Sequence, residues 1–105
     1  MTKKKVVQMI QKFGLPFAYD HFAEGESPES PFVVYLYPAS DNFAADGIVY
    51  FKKDRLHVEL YTDSKDISLE QQIENVLDAH GFFYNKSEVW IQSERLYEVL
   101  YQMEV

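Results

Sequence analysis

The chain has 105 residues with 10 basic and 17 acidic side chains, a formal charge of −7, 47% hydrophobic residues and no cysteine. These values describe one small acidic globular domain and exclude a disulfide-stapled scaffold, thiol nucleophiles and cysteine-based zinc or iron–sulfur sites. Eight phenylalanines, eight tyrosines and one tryptophan supply the apolar area of a single core and argue against intrinsic disorder.

From Thr2 to Phe13, Val6, Met9, Ile10 and Phe13 recur at helical spacing, with Val7 widening the stripe, and Gly14 and Pro16 end the helix. The Gly-, Ser-, Pro- and Glu-rich stretch from Asp20 to Pro31 reads as a long loop. Phe32 to Tyr37 is β-branched and aromatic on both faces, as in a strand covered on both sides, and Pro38 is expected to end it. Ala39 to Gly47 reads as a polar connection containing the turn dipeptide Asp46-Gly47, with Phe43 its one large apolar residue. Ile48 to Phe51 is a candidate short strand. Arg55 to Thr62 alternates, with Leu56, Val58 and Leu60 on one face and His57, Glu59 and Tyr61 on the other. Its expected partner is Ile48–Phe51 across Lys52-Lys53-Asp54, the Phe32 strand, or both in part.

Asp63, Ser64 and Asp66 are candidate N-caps for a second helix, and Ser68-Leu69-Glu70-Gln71 has the spacing of a capping box. Leu69, Ile73, Val76 and Leu77 form its stripe and Gly81 follows its last turn, where His80 complements the helix C-terminus. Phe82–Gln92 and Leu96–Val105 read as a closing hairpin turning at Ser93-Glu94-Arg95, with Tyr97, Val99, Tyr101, Met103 and Val105 on one face of the last strand. The expected fold is therefore α+β: a two-layer sandwich with an antiparallel sheet of about four strands, two helices on one face, and element order α-β-β-α-β-β.

No chemistry is announced. His21, His57 and His80 lack metal-ligand spacing, the carboxylate pairs Asp63/Asp66 and Glu24/Glu26 lie in solvated loops or caps, and no nucleophile elbow or glycine-rich phosphate loop occurs. The expectation is a protein without enzymatic activity, cofactor or metal. The longest apolar run, Phe32 to Tyr37, is far below the ~20 residues of a spanning helix. Lys3-Lys4-Lys5 is read as a solvated helix start and not a signal peptide, since Gln8, Gln11 and Lys12 interrupt the apolar stretch behind it. The acidic balance disfavours a phosphate-gripping surface. The informative feature is the sheet face expected to be free of helices, which would carry His57, Glu59 and Tyr61, with Glu88, Trp90 and Gln92, and Leu100. Such residues cluster on subunit interfaces. A one-residue register slip would instead pack Trp90 under the N-terminal helix or a long loop.

Pro31-Phe32-Val33-Val34-Tyr35, Asn42-Phe43-Ala44-Ala45-Asp46-Gly47, Leu56 to Asp63, Leu77 to Phe82 and Leu96 to Met103 together resemble the small tail-completion, or tail-terminator, proteins of siphophages and Gram-positive prophages. The resemblance implies a non-enzymatic structural protein, made in the bacterial host cytoplasm, that forms a ring, typically a hexamer, on the head-proximal end of the tail tube. It would contact itself, the tail tube protein and the head–tail connector, with DNA only passing through the lumen and no membrane involved. The Phe43–Gly47 loop is the one motif carried over, and the candidate interface residues are Phe43, Asp46, Gly47, Tyr61, Trp90 and Leu100. Rival readings are a head-completion adaptor or minor capsid protein, and a small bacterial ligand-binding or regulatory α+β domain.

Overall fold

Thr2 caps the first helix, its hydroxyl accepting from the Lys5 amide at 3.2 Å, and helix α1 (Lys3–Gln11) buries the stripe Val6, Met9 and Ile10. Strand β1 (Phe17–Tyr19) follows, then β2 (Phe32–Ser40), a hairpin of β3 (Phe43–Ala45) and β4 (Ile48–Phe51), β5 (Asp54–Thr62), helix α2 (Ile67–Ala79), β6 (Tyr84–Ile91) and β7 (Leu96–Glu104). The structure, a computed structural model, describes residues 1–45 and 47–105, and for residues 43–45 and 48–51 the backbone alone.

The main sheet has five strands in the order β1-β2-β5-β7-β6. All neighbours run antiparallel except β1 and β2, which are parallel. The architecture is α+β, but the four-stranded antiparallel sheet expected from sequence is corrected to a five-stranded mixed one. The extra strand, three residues behind Pro16, is too short to show a period, and its parallel pairing is non-local. A second correction concerns β4, which pairs with β3 and so adds a further strand to the expected element order; β5 takes β2 and β7 as its neighbours. Phe43–Ala45, expected within a loop, is strand on its backbone.

Strand β2 also runs through Pro38, where it was expected to stop. Its register with β5 shifts between Leu36 and Ala39, and β1 pairs no further along than Tyr35, so the proline sits in an irregular stretch with no ladder partner on its outer side. In α2 the N-cap is Asp66, whose carboxylate accepts from the Leu69 amide at 3.0 Å, and not the Ser68 box. At the other end Nδ1 of His80 donates to the Val76 carbonyl at 2.8 Å, and Gly81 takes the left-handed φ of 74° that closes the helix.

Both helices lie on one side of the sheet. Val6, Met9, Ile10, Ile73 and Leu77 form a single cluster with Val33, Leu56, Val58, Leu60, Val99, Tyr101 and Met103. Helix α2 is further fixed to β6 by charge. The buried Glu70 carboxylate accepts from Lys65 at 2.7 Å and Lys86 at 2.8 Å, Lys86 reaches Glu74 at 2.9 Å, and the Tyr101 hydroxyl donates to Glu74 at 2.8 Å. Lys65 also contacts Glu88. Burial pushes the Glu70 carboxyl up, but the two lysines outweigh it and hold the group below the ordinary carboxylate value.

A carboxyl held low in the folded state contributes stability above its unfolded pKa and loses it as pH falls through the folded value. Glu70→Gln is therefore expected to cost about 1–3 kcal/mol near neutral pH. The difference from the parent should close as pH drops through the carboxylate range in urea titrations. Leu60→Ala, at a fully buried site, is expected to cost about 2–5 kcal/mol at every pH.

Candidate functional site

Alternation along β5 separates two surfaces. Leu56, Val58, Leu60 and Thr62 are buried beneath the helices, while Arg55, His57, Glu59 and Tyr61 point to the other side. Register extends that second face across the sheet. Tyr61 lies opposite Phe32 and Glu98, Glu59 opposite Val34 and Leu100, and Leu100 in turn opposite Ser87. Val89 and Ile91 continue the face on the edge strand β6, where Val89 is 53% exposed.

Among the described residues no helix covers this face, and its β2 margin is roofed. Phe22, from the segment between β1 and β2, meets Phe32 edge-on at 5.4 Å, and Phe32 stacks on Tyr61 at 5.2 Å. This roof buries Phe32 and Val34 and leaves a groove of about 460 Å³ lined by Phe22, Phe32, Tyr61, Ile91 and Leu96, with Asp20 and Glu94 among its polar lining. A second groove, of about 710 Å³, lies at the opposite end of the strands among Arg55, Asn85, Gln102 and Phe83. Phe83 is 82% exposed there.

Between the grooves sit two carboxylates, Glu59 and Glu98, diagonal to one another across the β5–β7 pair. Both are pushed above the ordinary value, chiefly by burial. The Tyr61 hydroxyl donates to Glu59 at 3.0 Å and opposes the rise there, whereas the neighbouring Glu59 adds to it at Glu98. Burial and Arg55 hold His57 below its usual value, and its Nε2 is buried without a hydrogen-bond partner. Two carboxyls lifted by desolvation, with an apolar surround, make a face that gains by acquiring cationic or donor partners.

The expected interface residues are only partly brought together. Tyr61 and Leu100 share the open face, each half-buried. Trp90 does not: it lies opposite Tyr97, on the helix side, with ring centroids 4.7 Å apart, so its assignment to the open face is corrected. Glu88 lies on the same side as Trp90, opposite Val99. The reason is that β6 carries polar residues on both faces, and Lys86 and Glu88 turn inward to meet Glu70, Glu74 and Lys65. Gly47 is exposed with a φ of 75°, Asp46 lies outside the described residues, and so does the side chain of Phe43. Sequence reasoning missed Phe22, Ile91 and Leu96, although Ile91 and Leu96 flank the hairpin turn and pair with one another.

Among the described residues no three His, Cys, Asp or Glu side chains gather as a metal site would need, and no helix is long and apolar enough to cross a membrane. No family model matches the chain and no curated protein matches it.

The raised Glu98 value gives a signed expectation. The folded state holds that proton more tightly than the unfolded chain, so its contribution to stability is full below the ordinary carboxylate range and is lost as pH rises through the folded value. Glu98→Gln should therefore stabilise the protein at neutral pH by about 1 kcal/mol or less, with the gain disappearing below about pH 4, as thermal melts across pH will record.

Proposed function

We propose that the chain is a non-enzymatic assembly protein of a tailed phage or prophage. It self-associates into a ring, typically a hexamer, that caps the head-proximal end of the tail tube and joins it to the head connector. The observation that carries this reading is the open sheet face, where Tyr61, Leu100, Val89 and Ile91 lie together with no helix over them. Resemblance to tail-terminator proteins supplies the location in the virion. The partners are then further copies of the chain, the tail tube protein and the connector, with DNA passing through the lumen beside an acidic protein. The hairpin β3–β4, which bears Phe43 and Gly47 and stands outside the five-stranded sheet, is the second contact element of the ring.

A second reading, a small ligand-binding α+β domain, is favoured by one observation: the groove beside Tyr61, where apolar walls meet Asp20, Ser30 and Glu94. A head-completion adaptor would use the same open face at a different place in the virion.

Val89→Lys tests the assembly. The parent residue is exposed in the monomer, so the variant should keep its melting temperature while its association constant falls about 10–100-fold in sedimentation velocity, the loss typical of an interface anchor. In the phage, disrupting the gene should give over-long tails without heads, and the Val89→Lys gene should fail to restore joining. Normal virions from the disrupted phage would instead favour the ligand-binding reading.

A further inference from the structure

The register of the sheet defines two ends, and charge is distributed unequally between them. At the Tyr61 end, β5 runs out into Asp63, β7 enters through Glu94 and Glu98, and the segment leading into β2 carries Glu24, Glu26 and Glu29. Three basic residues lie nearby, Lys12, Lys65 and Arg95, and Lys65 is already held by Glu70 and Glu88. At the Arg55 end Asp41, Asp54 and Glu104 stand among the basic residues, but the start of α1 carries three consecutive lysines. Lys3 places its Nζ 5.2 Å from the Tyr37 ring, Lys4 and Lys5 share its helical turn, and Lys53 precedes β5. Asp41 holds Arg55 at 2.8 Å, but among the described residues no acidic side chain pairs with Lys3, Lys4, Lys5 or Lys53.

We propose that copies of this chain join head to tail, the lysine-bearing start of α1 in one copy entering the acidic groove beside Tyr61 of the next. The inference rests on the self-association proposed above and specifies its polarity. The groove suits lysines in two respects. Its floor, Phe22, Phe32, Tyr61, Ile91 and Leu96, is apolar and accepts aliphatic stems, and its acidic surroundings, Asp20 and Glu94 within the lining and Glu98 opposite Tyr61, receive the ammonium groups. The two surfaces also lie on opposite faces of the sheet as well as at opposite ends, since α1 packs on the helix side and the groove opens on the other. A two-fold pair meeting through its open faces would turn each α1 away from its partner's groove. The contact is therefore heterologous: every open oligomer leaves one acidic and one basic surface unused at its ends, and addition continues until a ring closes.

The test is sedimentation velocity of the full chain, its Lys3→Glu/Lys4→Glu/Lys5→Glu variant and its Glu26→Lys/Glu29→Lys/Glu94→Lys variant. Each variant alone should associate at least about tenfold more weakly than the parent. An equimolar mixture should recover association, because each reversed end then meets a reversed partner. Parent association should also weaken between about 0.1 and about 1 M salt, as the screening length falls from roughly 10 to 3 Å. If a reversal disturbs folding, seen as a lost melting transition, the glutamine versions at the same positions replace it and should weaken association in the same direction. Folded variants that associate like the parent, a mixture that fails to recover, or growth that stops at a dimer would overturn the head-to-tail contact while leaving self-association standing. A parent chain that remains monomeric at every concentration would overturn both.

Discussion

The two-residue period of β5 is the constraint on which the rest of this molecule depends. The strand occupies the centre of the five-stranded sheet, so its alternation is imposed on both neighbours through the ladder. Leu56, Val58 and Leu60 are completely buried because two helices lie over that face. His57, Glu59 and Tyr61 are then forced to the other side, where no helix is available. A shift of one residue would drive a histidine and a glutamate into the helix-covered core and expose the leucines. The same alternation that secures the fold thus creates a sheet face that the described helices leave open.

The two faces are stabilised by different physics. On the helix side, apolar packing dominates, and the Lys65–Glu70–Lys86–Glu74 cluster fixes how α2 sits against β6. Buried charges there have opposite partners at hydrogen-bonding distance. On the open side, burial raises Glu59 and Glu98, and the Tyr61 hydroxyl, joined at Glu98 by His57, offsets it only in part, so both carboxyls sit above their ordinary values. That contrast is what a surface awaiting a partner looks like in electrostatic terms: incomplete compensation concentrated on one face, beside unroofed apolar side chains. Together with the lysine run at the start of α1 and the acidic residues around the groove, it would supply the direction that the proposed head-to-tail assembly requires.

Much of this is legible from sequence where the pattern is periodic. The stripes of Val6, Met9 and Ile10 and of Ile73 and Leu77 place both helices, and the alternations through Leu56–Leu60 and Val99–Met103 place the two central strands and their inward residues. That logic alone assigns Tyr61 and Leu100 to the open face. The failures lie where local pattern carries no face information. In β6, Lys86 and Glu88 on one side and Asn85 and Ser87 on the other are all polar, so nothing local orients Trp90; its side is decided by α2's carboxylates, which are distant in sequence. Strand β1 escapes because three residues show no period, and Pro38 misleads because a proline is tolerated beyond the reach of an outer neighbour strand.

The central claim is that the open sheet face is covered by another protein in the working assembly while the part of the helix side that carries Trp90 and the start of α2 is not. Oxidative side-chain footprinting of the isolated chain and of assembled particles measures this directly. The account predicts strong protection of Tyr61, Leu100 and Ile91 on assembly, with Trp90 and the exposed Ile67 of α2 labelled equally in both states. Equal labelling of Tyr61, Leu100 and Ile91 in both states, or protection confined to Trp90 and Ile67, would contradict it.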